Sequence, residues 1–364
     1  MPINLPPELV HYILDSTLFS SNDLAHIALA SRNFLSFARH NLYNYIGVTT
    51  ERERIGVLAG DDRSGSGDRR IRRPQPFEVF LLNASLHPFV RKIGVNGDDL
   101  RPIGERSSLE AVSMILDRFP LIETLVLAPW RWLSAEWSTM LARHQSRRPV
   151  GQTLSMHVRT THDCLKEQNG VFDMPLSGFD TSNCPGWFSQ TALAASETSL
   201  QALGFRITSI LGYQGFPNVK SLCIGVAEDD WNVPVSQLLD SLNRFRNVET
   251  LTLSFGRTRY TTSVVDLVLL VLSHSLPSTL RSLFVGCDLA FHEIDKIVRA
   301  LPEGTGLKRL TFRPSLNGTA VTQAVAEVTA GRSRQQVDIT VEQSGEIWDN
   351  LCTSRPSLYS IKQS

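Results

Sequence analysis

Neither sign of charge dominates this chain. Lys and Arg together number 36, as do Asp and Glu, so the formal net charge is zero over 364 residues. Nucleic-acid binders usually carry a basic excess, because phosphate neutralisation supplies most of their affinity. The balance here argues against that class. Cysteine is sparse: the chain has five, Cys164, Cys184, Cys223, Cys287 and Cys352. None forms a CxxC pair and the number is odd, which disfavours a disulfide framework or a zinc site. Reduced thiols in the cytosol or nucleus fit better. Long apolar runs are missing too. The greasiest stretch, Val264 to Leu276, contains Asp266 and ends at Pro277, short of the about 20 residues a bilayer requires. A buried helix is expected there, and no membrane partner. The N-terminus has no basic leader, and Pro6, Pro7, Glu8 and Asp15 interrupt its apolar residues, against a signal peptide.

Signatures of chemistry are also missing. No GxSxG, GxGxxG or Walker-type glycine loop occurs. His157, His162, Asp163 and Cys164 lie close in sequence, yet their spacing fits no familiar zinc pattern. The expectation is a non-catalytic protein without metal or cofactor.

Two regions carry pattern. In the first, Pro7 suits an opening helical turn, where its missing N–H has no partner to lose. Leu9, Val10, Ile13 and Leu14 recur at helical spacing. Ser20-Ser21-Asn22 breaks the run and offers an N-cap for a second helix from Asp23, lined by Leu24, Ile27, Ala28 and Ala30. A third helix carries Phe34, Phe37, Ala38, Leu42 and Tyr45. Burying one Leu- or Ile-sized side chain gains about 1.5–3 kcal/mol, and three short helices cannot bury all of these among themselves. They need a partner surface or the next domain, so both a docking module and a simple cap fit.

Residues 60–76 are dense in Gly, Ser, Pro and charge, including Arg69, Arg70, Arg72 and Arg73. They read as a flexible linker. Beyond it, an apolar-x-x-apolar-x-apolar phrase recurs after helical stretches. Copies include Val90 to Val95, Ile122 to Leu127, Leu200 to Phe205, Val219 to Ile224, Val248 to Leu253, Leu280 to Val285 and Leu307 to Phe312. Leu154, Met156 and Val158 alternate similarly, as do Val337, Ile339 and Val341. Their central residues Leu222, Leu251, Leu283, Leu310 and Ile339 stand 27 to 32 positions apart. That length suits one strand and one helix per unit, and such units bury their apolar faces by stacking. The expected fold is α/β, a solenoid with a curved parallel sheet. Residues 163–195 interrupt the period and, being rich in Gly and Pro, read as an insertion.

Alternation assigns the other strand positions to the opposite sheet face. They are mostly small and neutral, and no paired carboxylates are available for acid–base work. Arg206, Arg309 and Arg313 are candidates for holding an acidic group, and Phe284 and Trp231 for anchoring a protein partner.

The N-terminal residues resemble an F-box. The shared pattern is Leu5-Pro6-x-Glu8-Leu9, Ile13, Asp23-Leu24, Arg32 and Leu42-Tyr43, with Ser31 and Phe34 in place of the usual Cys and Trp. The repeats resemble irregular leucine-rich repeats, without the Asn or Cys that usually follows each strand. Together the resemblances imply a fungal-type F-box protein, the substrate receptor of a Skp–cullin–F-box ubiquitin ligase. Leu5, Pro6, Leu9, Ile13, Leu24, Ala30 and Phe34 would bind a Skp-type adaptor, and through it a cullin. The repeats would hold an unknown protein substrate. The implied organisation is a three-helix module over 1–48, a linker over 49–77, the repeats over 78–345 and a tail over 346–364.

Overall fold

The computed structural model describes residues 26–27, 32–51, 54–59, 75–95, 102–127, 135–149, 152–159, 175–181, 190–207, 215–226, 239–240, 242–255, 261–273, 277–287, 289–301, 306–312, 323, 325–326 and 337–341. Two compact units divide the chain, Met1–Thr161 and His162–Ser364.

In the first unit, helix α1 (Arg32–Tyr43) runs straight into strand β1 (Tyr45–Glu51). Strands β2 (Arg54–Ala59) and β3 (Gln75–Pro76) follow, then helix α2 (Phe77–Leu82), β4 (Lys92–Val95), α3 (Pro102–Arg118), β5 (Thr124–Leu127), α4 (Ala135–Ser146) and β6 (Ser155–Arg159). Strands β6, β5, β4 and β1 are parallel neighbours in that order; β2 pairs antiparallel with β1, and β3 with β2. The parallel register aligns Ile46, Ile93, Leu125 and Met156 in one row, and Val48, Val95, Leu127 and Val158 in the next. All eight are buried. Ala111, Val112, Ile115 and Leu116 of α3 are buried too, and Phe119 just beyond it stacks on Phe80 of α2 with ring centroids 5.0 Å apart.

The first unit departs from the sequence expectation. The sequence pattern predicts Tyr45 in a third helix, a module ending at 48 and a linker over 49–77. Instead the chain enters the sheet at Tyr45, so the boundary at 48 cuts through β1, and β2 lies within the supposed linker. The strand signal is short: Ile46 and Val48 alternate, as do Ile55 and Val57, around the charged stretch 51–54. Linker residues 60–74 lie outside the described residues.

The second unit is a run of seven parallel strands in sequence order: β7 (Gly178–Asp180), β8 (Ala202–Arg206), β9 (Ser221–Val226), β10 (Thr250–Phe255), β11 (Ser282–Gly286), β12 (Arg309–Phe312) and β13 (Asp338–Val341). Helices α5 (Thr261–Ser273) and α6 (Phe291–Arg299) connect β10 to β11 and β11 to β12. The register brings Phe179, Leu203, Leu222, Leu251, Leu283, Leu310 and Ile339 into one row, so the repeat residues marked in the sequence meet across the strands. The open, sequential order is what stacked repeats require. Helix α5 buries Val264, Val265, Leu267, Val268, Val271 and Leu272, as its apolar composition demands. On α6, the Glu293 carboxylate accepts a 2.7 Å hydrogen bond from the Ala290 N–H, satisfying one donor at the helix start.

Strand β7 lies inside the span 163–195 read as an insertion. It holds only Gly178, Phe179 and Asp180, too short for an alternation pattern. Phe179 is nevertheless fully buried and stands 24 positions before its register partner Leu203, so a short repeat occupies the gap.

Candidate functional site

Two surfaces of the repeat sheets are candidates for recognition: the face opposite the Leu row, and the edge where strands begin.

On the opposite face of the second unit, the register aligns Asp180, Gly204, Cys223, Thr252, Phe284, Thr311 and Thr340. This face is closed over most of its length. Asp180, Cys223, Thr252, Thr311 and Thr340 are buried, as is Arg206 farther along β8 at 8% exposure. The Thr311 and Thr340 hydroxyls share a 2.8 Å hydrogen bond. Asp180 folds over Gly204, whose missing side chain makes the space: a Cβ there would collide with the carboxylate. A buried guanidinium requires partners, and Arg206 is engaged. Little of its side chain is therefore accessible from this face. Phe284 is half-buried on this row. Arg309 is also half-buried, with Nε 3.9 Å from the Asp338 carboxylate.

Of the proposed adaptor contacts, only Phe34 falls among the described residues; it is half-buried on α1. Leu5, Pro6, Leu9, Ile13, Leu24 and Ala30 lie outside them, as do Trp231 and Arg313.

The strand-start edge carries an order that sequence reasoning missed. Three positions before β8, β9, β10 and β11 stand Ser199, Asn218, Asn247 and Thr279. Each reaches back to a main-chain carbonyl of the preceding repeat: Ser199 to Leu176 at 2.7 Å, Asn218 to Thr198 at 2.7 Å, Asn247 to Pro217 at 2.6 Å and Thr279 to Arg246 at 3.1 Å. The Thr279 hydroxyl also lies 2.8 Å from the Val248 carbonyl, and its one hydrogen serves either. The polar side chain missing after each strand thus has a counterpart before the next one. The signal was available: a short polar residue at one fixed offset in four consecutive copies. Main-chain bonds continue the ladder, with the N–H groups of Lys220, Glu249, Arg281, Lys308 and Asp338 each donating at 2.7–2.8 Å to the repeat before.

In the first unit, His157 sits on β6 at 7% exposure. Burial, then the Lys92 charge, lowers its pKa to about 4, so it is neutral at pH 7. His144 on α4 is also buried, and burial holds its pKa below the ordinary value despite the nearby Asp117 carboxylate. Its Nε2 is 3.1 Å from Ser113 Oγ, and its Nδ1 is 3.6 Å from Asp117 Oδ1. The residue types are those of a hydrolytic triad, but the geometry is that of a clip between helices. Asp117 stands beyond hydrogen-bond range of the ring and is shared with Arg147 at 3.2 Å. Ser113 lies in the interior of α3, away from the free N–H groups of a helix start that hold an oxyanion.

Among the described residues no three His, Cys, Asp or Glu side chains are grouped to hold a metal, and no helix is long and apolar enough to cross a membrane. Cys223 and Cys287 are buried and form no disulfide. No protein-family model matches the chain, and no curated protein matches it.

Proposed function

We propose that this chain is a non-catalytic substrate receptor of a Skp–cullin–F-box ubiquitin ligase. The observation that carries this reading is the N-terminal pattern Leu5-Pro6-x-Glu8-Leu9, Ile13 and Asp23-Leu24 placed ahead of a repeat sheet. In this reading Leu5, Pro6, Leu9, Ile13, Leu24, Ala30 and Phe34 dock on a Skp-type adaptor, and the repeats hold a protein substrate. The contribution to ubiquitin transfer is proximity: a held substrate meets the carrier at a raised effective concentration. An irregular leucine-rich solenoid is the corresponding reading of the repeats, supported by the sequential parallel strands of the second unit. Co-purification of the full chain with a Skp-type adaptor tests the proposal. Replacement of Leu5 and Pro6 by Ala should abolish capture; a folded chain that ignores micromolar adaptor rejects it.

A second reading, a repeat scaffold whose N-terminal helices only cap the sheet, has its own observation. Helix α1 is continuous with the sheet: the Asn44 carbonyl at its end accepts from Arg91 and Lys92 N–H at 3.0 and 2.9 Å, and Ala38 is fully buried. In that reading deletion of residues 1–31 destabilises the repeats and no adaptor binds.

A further inference from the structure

The opposite face of the second unit is largely closed, whereas its strand-start edge carries exposed charge. Immediately before β9, β10, β11, β12 and β13 stand Lys220, Glu249, Arg281, Lys308 and Val337. Neighbouring strands lie about 4.8 Å apart, so these residues form a row. Lys220 and Glu249 neutralise each other at 3.2 Å. Arg281 and Lys308 then stand on adjacent strands, both exposed, with no ion pair to either among the described residues. Arg246 joins them: its carbonyl is held by Thr279, two residues before Arg281, and its side chain likewise makes no ion pair. Like charges side by side repel, and among the described residues no carboxylate is ion-paired with Arg281, Lys308 or Arg246.

One of these cations is fixed in place. Arg281 Nη1 donates to the Gly306 carbonyl at 3.1 Å, and the guanidinium lies over Gly306, where a Cβ would collide with it. Arg281 is exposed, and a guanidinium with one N–H seated in this way keeps further donors in a planar fork of the kind that pairs with a carboxylate.

We infer that the strand-start edge formed by Arg246, Arg281 and Lys308 is a docking surface for an acidic peptide segment. A protein segment fits better than a nucleic acid. The neighbouring aromatics Phe216 and Phe245 are buried rather than offered for base stacking, and the chain has no net positive charge. That the segment belongs to a ubiquitination substrate rests on the receptor reading; the binding itself does not.

The test is fluorescence anisotropy on the full purified chain with a labelled peptide of alternating Glu and Gly. A Lys–Gly peptide and a single-stranded oligonucleotide of equal charge serve as comparisons. The Glu–Gly peptide should bind, and weaken as salt rises. Joint Arg281→Glu and Lys308→Glu should weaken it at least about tenfold. Gly306→Ala, which displaces the guanidinium without changing charge, should weaken it about threefold. Arg106→Gln on the exposed face of α3 should leave it unchanged. Absent peptide binding, equal binding by the doubly reversed chain, or tighter binding of the oligonucleotide overturns the inference. Peptide binding by a chain that ignores the adaptor would uphold this surface and reject the receptor reading.

Discussion

The two units satisfy the same backbone need in different ways. Each strand is preceded by a turn whose carbonyls require donors. In the second unit the donors before β8 to β11 are short and local, Ser199, Asn218, Asn247 and Thr279 at one offset from each strand; before β12 that offset holds Gly306, and Arg281 reaches its carbonyl instead. In the first unit the same offset before β5 holds Leu121, and long arginines reach in from elsewhere. Arg91 donates to the Leu121 carbonyl at 3.1 Å, and Arg148 to Ile122 at 2.6 Å. A short side chain loses little rotamer freedom when fixed, whereas an arginine loses more. The second unit is therefore the more regular repeat, and the first is a sheet finished by a helix and an antiparallel hairpin.

That contrast can be broken at several points. The largest effect belongs to the Leu row: Leu251→Ala in the second unit should cost about 2–5 kcal/mol by urea unfolding, since Leu251 is 2% exposed between Leu222 and Leu283. A loss under about 1 kcal/mol would mean the row is not a packed core.

Acid separates the units next. His157 has a folded pKa of about 4, below the unfolded value of about 6.5. The unfolded chain therefore takes up the proton first. The stability of neutral His157 is complete above pH 6.5 and is lost as pH falls toward 4, by about 3 kcal/mol. His144 adds to this in the same direction. Both lie in the first unit, so proteolysis on acidification should cut there first. His157→Gln should flatten the pH dependence, and an unchanged profile would contradict its burial as a neutral ring.

Gly215→Ala should cost about 1–3 kcal/mol. Gly215 has φ +91°, and a Cβ there would stand 2.6 Å from the Arg244 carbonyl. The smallest effect sharpens the comparison itself. Asn247→Ala should cost about 1 kcal/mol, whereas Asn243→Ala, an exposed neighbour off the ladder, should be near neutral. Equal effects would remove the ladder's claim to order the repeats.

Much of the second unit was legible. The row of Leu222, Leu251, Leu283 and Leu310 follows from spacing alone, because strands of one repeat period stack in register. The short elements were not. Strand β7 carries a single apolar residue between Gly178 and Asp180, and β1 and β2 flank a charged stretch that resembles a linker. Periodicity shows which residues point away from the Leu row, but burial of that second face depends on tertiary packing. Arg206 thus stands on the face that alternation assigns to it, while its 8% exposure is set by packing that the pattern does not show. Ser199, Asn218, Asn247 and Thr279 were readable by offset but lay just outside the apolar phrase that defined the repeat.

Hydrogen–deuterium exchange of the full chain, with and without a Skp-type adaptor, tests the proposed role most directly. The account predicts that residues 45–51, already paired in the sheet, exchange slowly in both conditions, while residues 5–24 gain protection only when the adaptor is present. Residues 5–24 unchanged by saturating adaptor would contradict the receptor role and leave the N-terminal helices as a cap.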